Sequence, residues 1–249
     1  MHLIELVPRQ LDSFVAESND LLKSFPFLDG VNVPDVLRLE TRSHEAAKAL
    51  LQRNQLAIPH IRAMDRPLEK SVSLVKELID LGLNHVLIVS GDIPLSPEKD
   101  TFGIGSIALI QALRKQFPTL NVYAALDPYR QSFIDEVNYC RRKIQAGATG
   151  FFTQPFFDTN MARLFLDQLQ DVPVFLGISP VLAEKSLHYW INKNKVVFPK
   201  SFELTLEYNV CLAKKLMALA KGFNQHVYLM PITLNAHQYL EAICSKKES

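Results

Sequence analysis

The chain has 249 residues, 27 basic against 26 acidic, and 48% hydrophobic residues. A net charge of +1 excludes the strong positive field of a non-specific nucleic-acid or anionic-membrane binder, and the apolar content excludes a disordered chain. Three scattered cysteines, Cys140, Cys211 and Cys244, argue against a disulfide framework. No basic-then-apolar leader opens the sequence and no apolar run nears the ~20 residues of a membrane span, so the expected location is the cytoplasm.

In chain order, short apolar runs alternate with longer amphipathic ones. Residues 3–7, 30–33 and 56–60 read as the first three strands. Residues 68–81 follow as a helix with Leu68, Val72, Val75, Leu78, Ile79 and Leu81 on one stripe and Gly82 as its stop. A strand at 85–89, a helix at 104–116, a strand at 120–124 and a helix at 132–145 repeat the scheme. Next come a strand at 149–153, a helix at 158–170 opened by Asp158 as N-cap, and a strand at 173–177. Helical stretches at 183–192 and 202–220, a strand at 227–230 and a helix at 235–243 close the chain. Apolar runs of this kind suit strands buried on both faces. Eight of them with intervening helices, in this length, predict a (β/α)8 TIM barrel occupying residues 1–249 as a single domain. An open doubly wound sheet is the runner-up.

In such a barrel the chemistry sits at the C-terminal strand ends. The polar residues there are Glu5, Asn32, Asp35, His60, Asp92, Asp127, Gln154, Ser179, Thr233 and Asn235. Glu5 lies between Ile4 and Leu6. Facing inward, it would be desolvated and suited to general-acid work; facing outward, it is a solvated edge charge, and alternation leaves both open. Ser90-Gly91-Asp92 follows an apolar strand, and its glycine permits close backbone approach of a ligand. Thr153-Gln154-Pro155-Phe156-Phe157-Asp158 offers a donor-acceptor amide for a heterocycle and two rings to wall it; the alternative is a turn with two core aromatics. His60 is a lone histidine, and Lys143 reads most simply as a solvated helix charge. Gly103-Ile104-Gly105-Ser106 lacks the third glycine of a dinucleotide fingerprint. No His pairing points to a metal site.

Taken together, Ile4-Glu5-Leu6-Val7-Pro8, Pro59-His60, Ser90-Gly91-Asp92-Ile93-Pro94, the run from Ala146-Gly147-Ala148 to Thr153-Gln154-Pro155-Phe156-Phe157-Asp158, and Thr233-Leu234-Asn235 resemble the methylenetetrahydrofolate reductases. That resemblance implies a flavin barrel that reduces 5,10-methylenetetrahydrofolate to the 5-methyl form with NAD(P)H through FAD. It implies Glu5 as general acid and Asp92 as a carboxylate near flavin and folate, with Gln154 and Phe156 at the pterin. It implies His60, Gly91, Asp92, Glu136 and Lys143 at the flavin. Ser90 stands where the family has Arg, Ala125-Leu126-Asp127-Pro128-Tyr129 replaces its Tyr- and His-bearing loop, and Ala236 replaces its closing Arg. The expectation is a flavin-sized cleft that holds FAD more weakly than a full member does, since Ser cannot make an arginine's bidentate bonds. A non-redox or flavin-less paralogue that binds a folate for a partner enzyme is the alternative function. Neither nucleic acid nor membrane is an expected partner, and a homo-oligomer stays open.

Overall fold

The computed structural model describes residues 1–91, 101–232 and 234–245. Eight parallel strands close on themselves in sequence order. They are β1 (His2–Glu5), β2 (Gly30–Val33), β3 (Ala57–Arg62), β4 (His85–Val89), β5 (Asn121–Leu126), β6 (Gly150–Thr153), β7 (Val174–Ile178) and β8 (His226–Leu229). β1 pairs with both β2 and β8, which seals the barrel and leaves no sheet edge.

The helices are α1 (Leu11–Ser24), α2 (Ser43–Leu51), α3 (Leu68–Ile79), α4 (Ser106–Gln116), α5 (Phe133–Gln145), α6 (Thr159–Gln168), α7 (Glu184–Asn194), α8 (Leu206–Gly222) and α9 (Ala236–Cys244), with a 3-10 turn at Ala63–Asp65. The sequence pattern delimits no helix before residue 68. The first two helices bury Phe14, Val15 and Leu21, and Ala46, Ala47 and Leu50, against the outer face of the first strands. Asp158 caps α6 as expected, its side chain accepting from the Asn160 and Met161 amides at 2.7 and 2.9 Å. Among the described residues no helix is long and apolar enough to cross a membrane.

Alternation along each strand divides the core into two shells. Ile4, Val31, Ile61, Val86, Ile88 and Leu176 face the helices. Leu3, Ile58, Leu87, Tyr123, Phe152, Phe175, Tyr228 and Met230 fill the barrel interior. There the Phe152 and Phe175 rings stack at 4.2 Å. Gly177 makes room for this layer: a Cβ on it would lie 2.6 Å from the Thr153 carbonyl oxygen and 3.1 Å from the Tyr228 ring. The Tyr228 hydroxyl donates to that same carbonyl, and the Thr153 hydroxyl accepts from the Gly177 amide at 2.9 Å. This packed layer is the floor on which the mouth is built.

Candidate active site

The parity that sends Leu3 and Ile58 inward sends Glu5 and His60 inward too, two residues further toward the strand ends. β2 is buried throughout, and Asn32 is its one side chain with polar atoms. The Asn32 amide nitrogen donates to Glu5 Oε2 at 3.1 Å and bonds the His60 ring at Nε2, 2.9 Å away. One amide thus joins three strands. With both amide protons engaged, His60 Nε2 is the acceptor and the imidazole is neutral. Burial agrees, pushing the His60 pKa down to about 4 against the opposing pull of Asp35. Asn32 Oδ1 remains a buried acceptor with no partner. A buried polar atom without a partner calls for a ligand or a water.

Burial pushes the Glu5 carboxyl up to about 7, with the Asn32 hydrogen bond opposing. A carboxyl of that kind carries its proton near neutrality and can hand it to a reacting atom. Tyr228 lies beneath, its pKa raised by burial and by the nearby Glu5 charge. Gln154 follows β6 at the same end, its backbone amide donating to the Leu126 carbonyl at 2.7 Å, and the residue is partly buried. A cavity of about 340 Å³ opens beside Glu5, lined by Arg9, Ser13, Glu17 and Asn235 among others. Clefts of about 490 and 540 Å³ lie between α1 and α2 and between α3 and α4, and hold none of the strand-end residues.

Other expected positions fall elsewhere. Asp92 and Thr233 lie outside the described residues. Phe156 is turned away from the mouth: it is 1% exposed and packs on Phe165 of α6. Phe157 packs on Trp190, Phe198 and Phe202. Both rings are therefore core aromatics, because the turn after Gln154 carries them behind the barrel wall. Asp35 is tied to Arg42 at 2.6 Å, and Arg42 reaches Asp65 at 2.8 Å. Burial works against the Asp35 charge, but the Arg42 hydrogen bonds hold its pKa below the usual range. The sequence pattern gives Asn32 no role beyond its place at a strand end. Its one signal there is a lone amide in an otherwise apolar strand.

Lys143 is 2% exposed rather than solvated. Its amine donates to the Ala125 carbonyl and lies 4.0 Å from the centre of the Tyr139 ring. Glu136 is fully buried and accepts from the Asp127 amide at 3.1 Å and from Arg130 and Gln131 at 2.7 Å each. At Gly91, φ is +96°, and a Cβ would meet Met64 at 2.9 Å and Arg62 at 3.0 Å. The described side chains that the family resemblance assigns to flavin are thus engaged with the chain's own groups, and as arranged they do not fit a flavin. Among the described residues no group of three His, Cys, Asp or Glu is gathered as a metal site.

The family described as methylenetetrahydrofolate reductase matches residues 29–216. The 5,10-methylenetetrahydrofolate reductase of Salmonella typhimurium is 24% identical over 172 residues, covering 67% of this chain and 58% of that protein. The Escherichia coli protein of the same name is 24% identical over 164 residues, covering 64% and 55%. The chain therefore spans under two thirds of the length of these relatives. Among solved structures, an uncharacterized Clostridium thermocellum protein described as binding two copies of 5-methyl-5,6,7,8-tetrahydrofolic acid aligns with a TM-score of 0.67 at 13% identity, over 98% of this chain and 92% of that one. Dihydropteroate synthase from Xanthomonas albilineans aligns with a TM-score of 0.53 at 13% identity, over 97% and 89%. At such identity these two likenesses concern the fold alone. With the family match extending over residues 29–216, the chain belongs to the methylenetetrahydrofolate reductase family.

Proposed function

We propose that the barrel mouth binds a tetrahydrofolate one-carbon carrier and that the protein reduces its methylene bridge to methyl, with a reduced nicotinamide as the source of hydride. The observation that carries this reading is the Glu5–Asn32–His60 chain, with its protonatable carboxyl and its unpaired buried Asn32 Oδ1. A pterin presents N–H donors, which Asn32 Oδ1 lacks. Gln154 adds a donor and an acceptor. The cavity beside Glu5 has room for the rest of the carrier, and Arg9 on its wall suits the carrier's terminal carboxylates. Family membership supports the substrate class, and the folate-binding structural neighbour agrees with it.

Glu5 is the proton donor in this reading. Opening the five-membered ring of the methylene carrier needs a proton on its leaving nitrogen and generates a cationic iminium. Asp92, assigned near the substrate by the family resemblance, supplies the anion that stabilises it in this reading. Glu5 lies before the matched span of residues 29–216, so its role rests on its geometry. FAD is the family's electron carrier, but the residues described above do not fit it, and no step in this reading runs through it.

Equilibrium binding of 5-methyltetrahydrofolate, followed by NADH oxidation with methylenetetrahydrofolate, tests the reading. Binding and turnover are expected. Binding without turnover would overturn the reductase and leave a folate-binding module; absence of binding would overturn both.

A further inference from the structure

Among the described residues, the side chains that the family resemblance assigns to flavin are engaged by the protein itself. Glu136 has both carboxylate oxygens occupied by three donors. A flavin hydroxyl would have to add a fourth donor to a fully buried carboxylate that already takes Arg130 and Gln131 on Oε2 and the Asp127 amide on Oε1. The Lys143 amine is directed at the Ala125 carbonyl and the Tyr139 ring. A Cβ on Gly91 would already meet Met64 at 2.9 Å and Arg62 at 3.0 Å, and Arg62 is 5% exposed and bonded to Asp65 at 3.0 Å. The His60 Nε2 is held by Asn32. Each charge-assisted bond that a ligand must break without replacing weakens it roughly 10–100-fold.

We infer that the Glu136–Arg130–Gln131 and Lys143–Tyr139–Ala125 contacts are a protein-made filling of the flavin's place, so that this chain keeps no resident flavin and passes hydride directly between its two substrates. The inference rests on the folate reading above. In the step, Glu5 gives its proton to the leaving nitrogen as the carbon–nitrogen bond breaks. Hydride from C4 of the dihydronicotinamide then forms a bond to the iminium carbon, and the iminium electron pair returns to nitrogen. The nicotinamide leaves oxidised, the carrier leaves reduced, and Glu5 is left as a carboxylate for solvent to reprotonate.

The test is titration of the purified full chain with FAD, read by flavin fluorescence and by thermal denaturation, alongside folate binding. Colourless protein with no saturable FAD binding and no rise in Tm is expected. Glu136→Gln and Lys143→Met, which break the filling, are expected to lower the Tm of the flavin-free protein by about 4–8 °C. Initial rates varied in NADH and folate should give intersecting lines, as a ternary complex requires. Stoichiometric FAD in the purified protein, or saturable FAD binding in the titration, would overturn the inference. Folate binding is read separately, so its absence would sink the folate reading while the FAD titration still decides this one.

Discussion

Replacing Glu5 by Gln isolates the property that makes the mouth chemically competent. Gln keeps an oxygen to accept from Asn32 but cannot titrate. In the folded protein the Glu5 carboxyl holds its proton up to about pH 7 instead of the ordinary 4.5. At about 1.4 kcal/mol per pH unit this corresponds to ~3.5 kcal/mol, and partial exposure of the side chain reduces it to about 1–3 kcal/mol. The sign follows from linkage: between pH 4.5 and 7 the folded state keeps a proton that the unfolded chain has released, so stability contributed by this group falls as pH rises through that window. Glu5→Gln lacks this loss. Thermal denaturation of both proteins from about pH 4 to about 8.5 should show the variant gaining on the parent as pH rises, by about 2–10 °C at the alkaline end. Turnover of methylenetetrahydrofolate should drop about 10²–10⁴-fold in the variant, the usual worth of a general acid. Parallel Tm curves across the window would refute the reasoning, because Glu5 would then titrate like a solvated carboxylate.

Arg42→Ala leaves Asp35 and Asp65, whose side chains are 2% and 9% exposed, without that partner, and should destabilise the fold by about 3–5 kcal/mol at neutral pH in denaturant titrations. Because Asp35 is held below its usual pKa, that loss should shrink as pH falls through the Asp35 titration. Gly177→Ala drives a methyl to 2.6 Å from the Thr153 carbonyl oxygen and should cost about 1–3 kcal/mol; a neutral result would show that the floor of the mouth yields. Phe157→Ala should cost about 3–5 kcal/mol yet leave the Kd for folate unchanged, and a large change in Kd would return the ring to the mouth. Arg9→Ala should weaken a glutamate-bearing folate while sparing a tailless tetrahydropterin; equal effects on both would put the tail elsewhere.

The barrel is legible in the chain alone. Eight short apolar runs, such as Val86-Leu87-Ile88, must be buried on both faces, and parallel strands with helical crossovers are the arrangement that achieves it in this length. Strand ends follow, and with them Glu5, His60 and Gln154 as candidates, because strand order and side-chain alternation are local properties. Direction and partnership are not local. Whether Glu5 faces the interior depends on the register of β1 with β2 and β8, which puts Glu5 beside Asn32. Whether Phe156 walls a ligand depends on α6 presenting Phe165 to it. Lys143 reads as a solvated charge because its helix pattern says nothing of the Ala125 carbonyl 18 residues earlier in the chain. These outcomes come from the closed sheet, since desolvation and hydrogen bonding are set by neighbours that it gathers from distant parts of the chain.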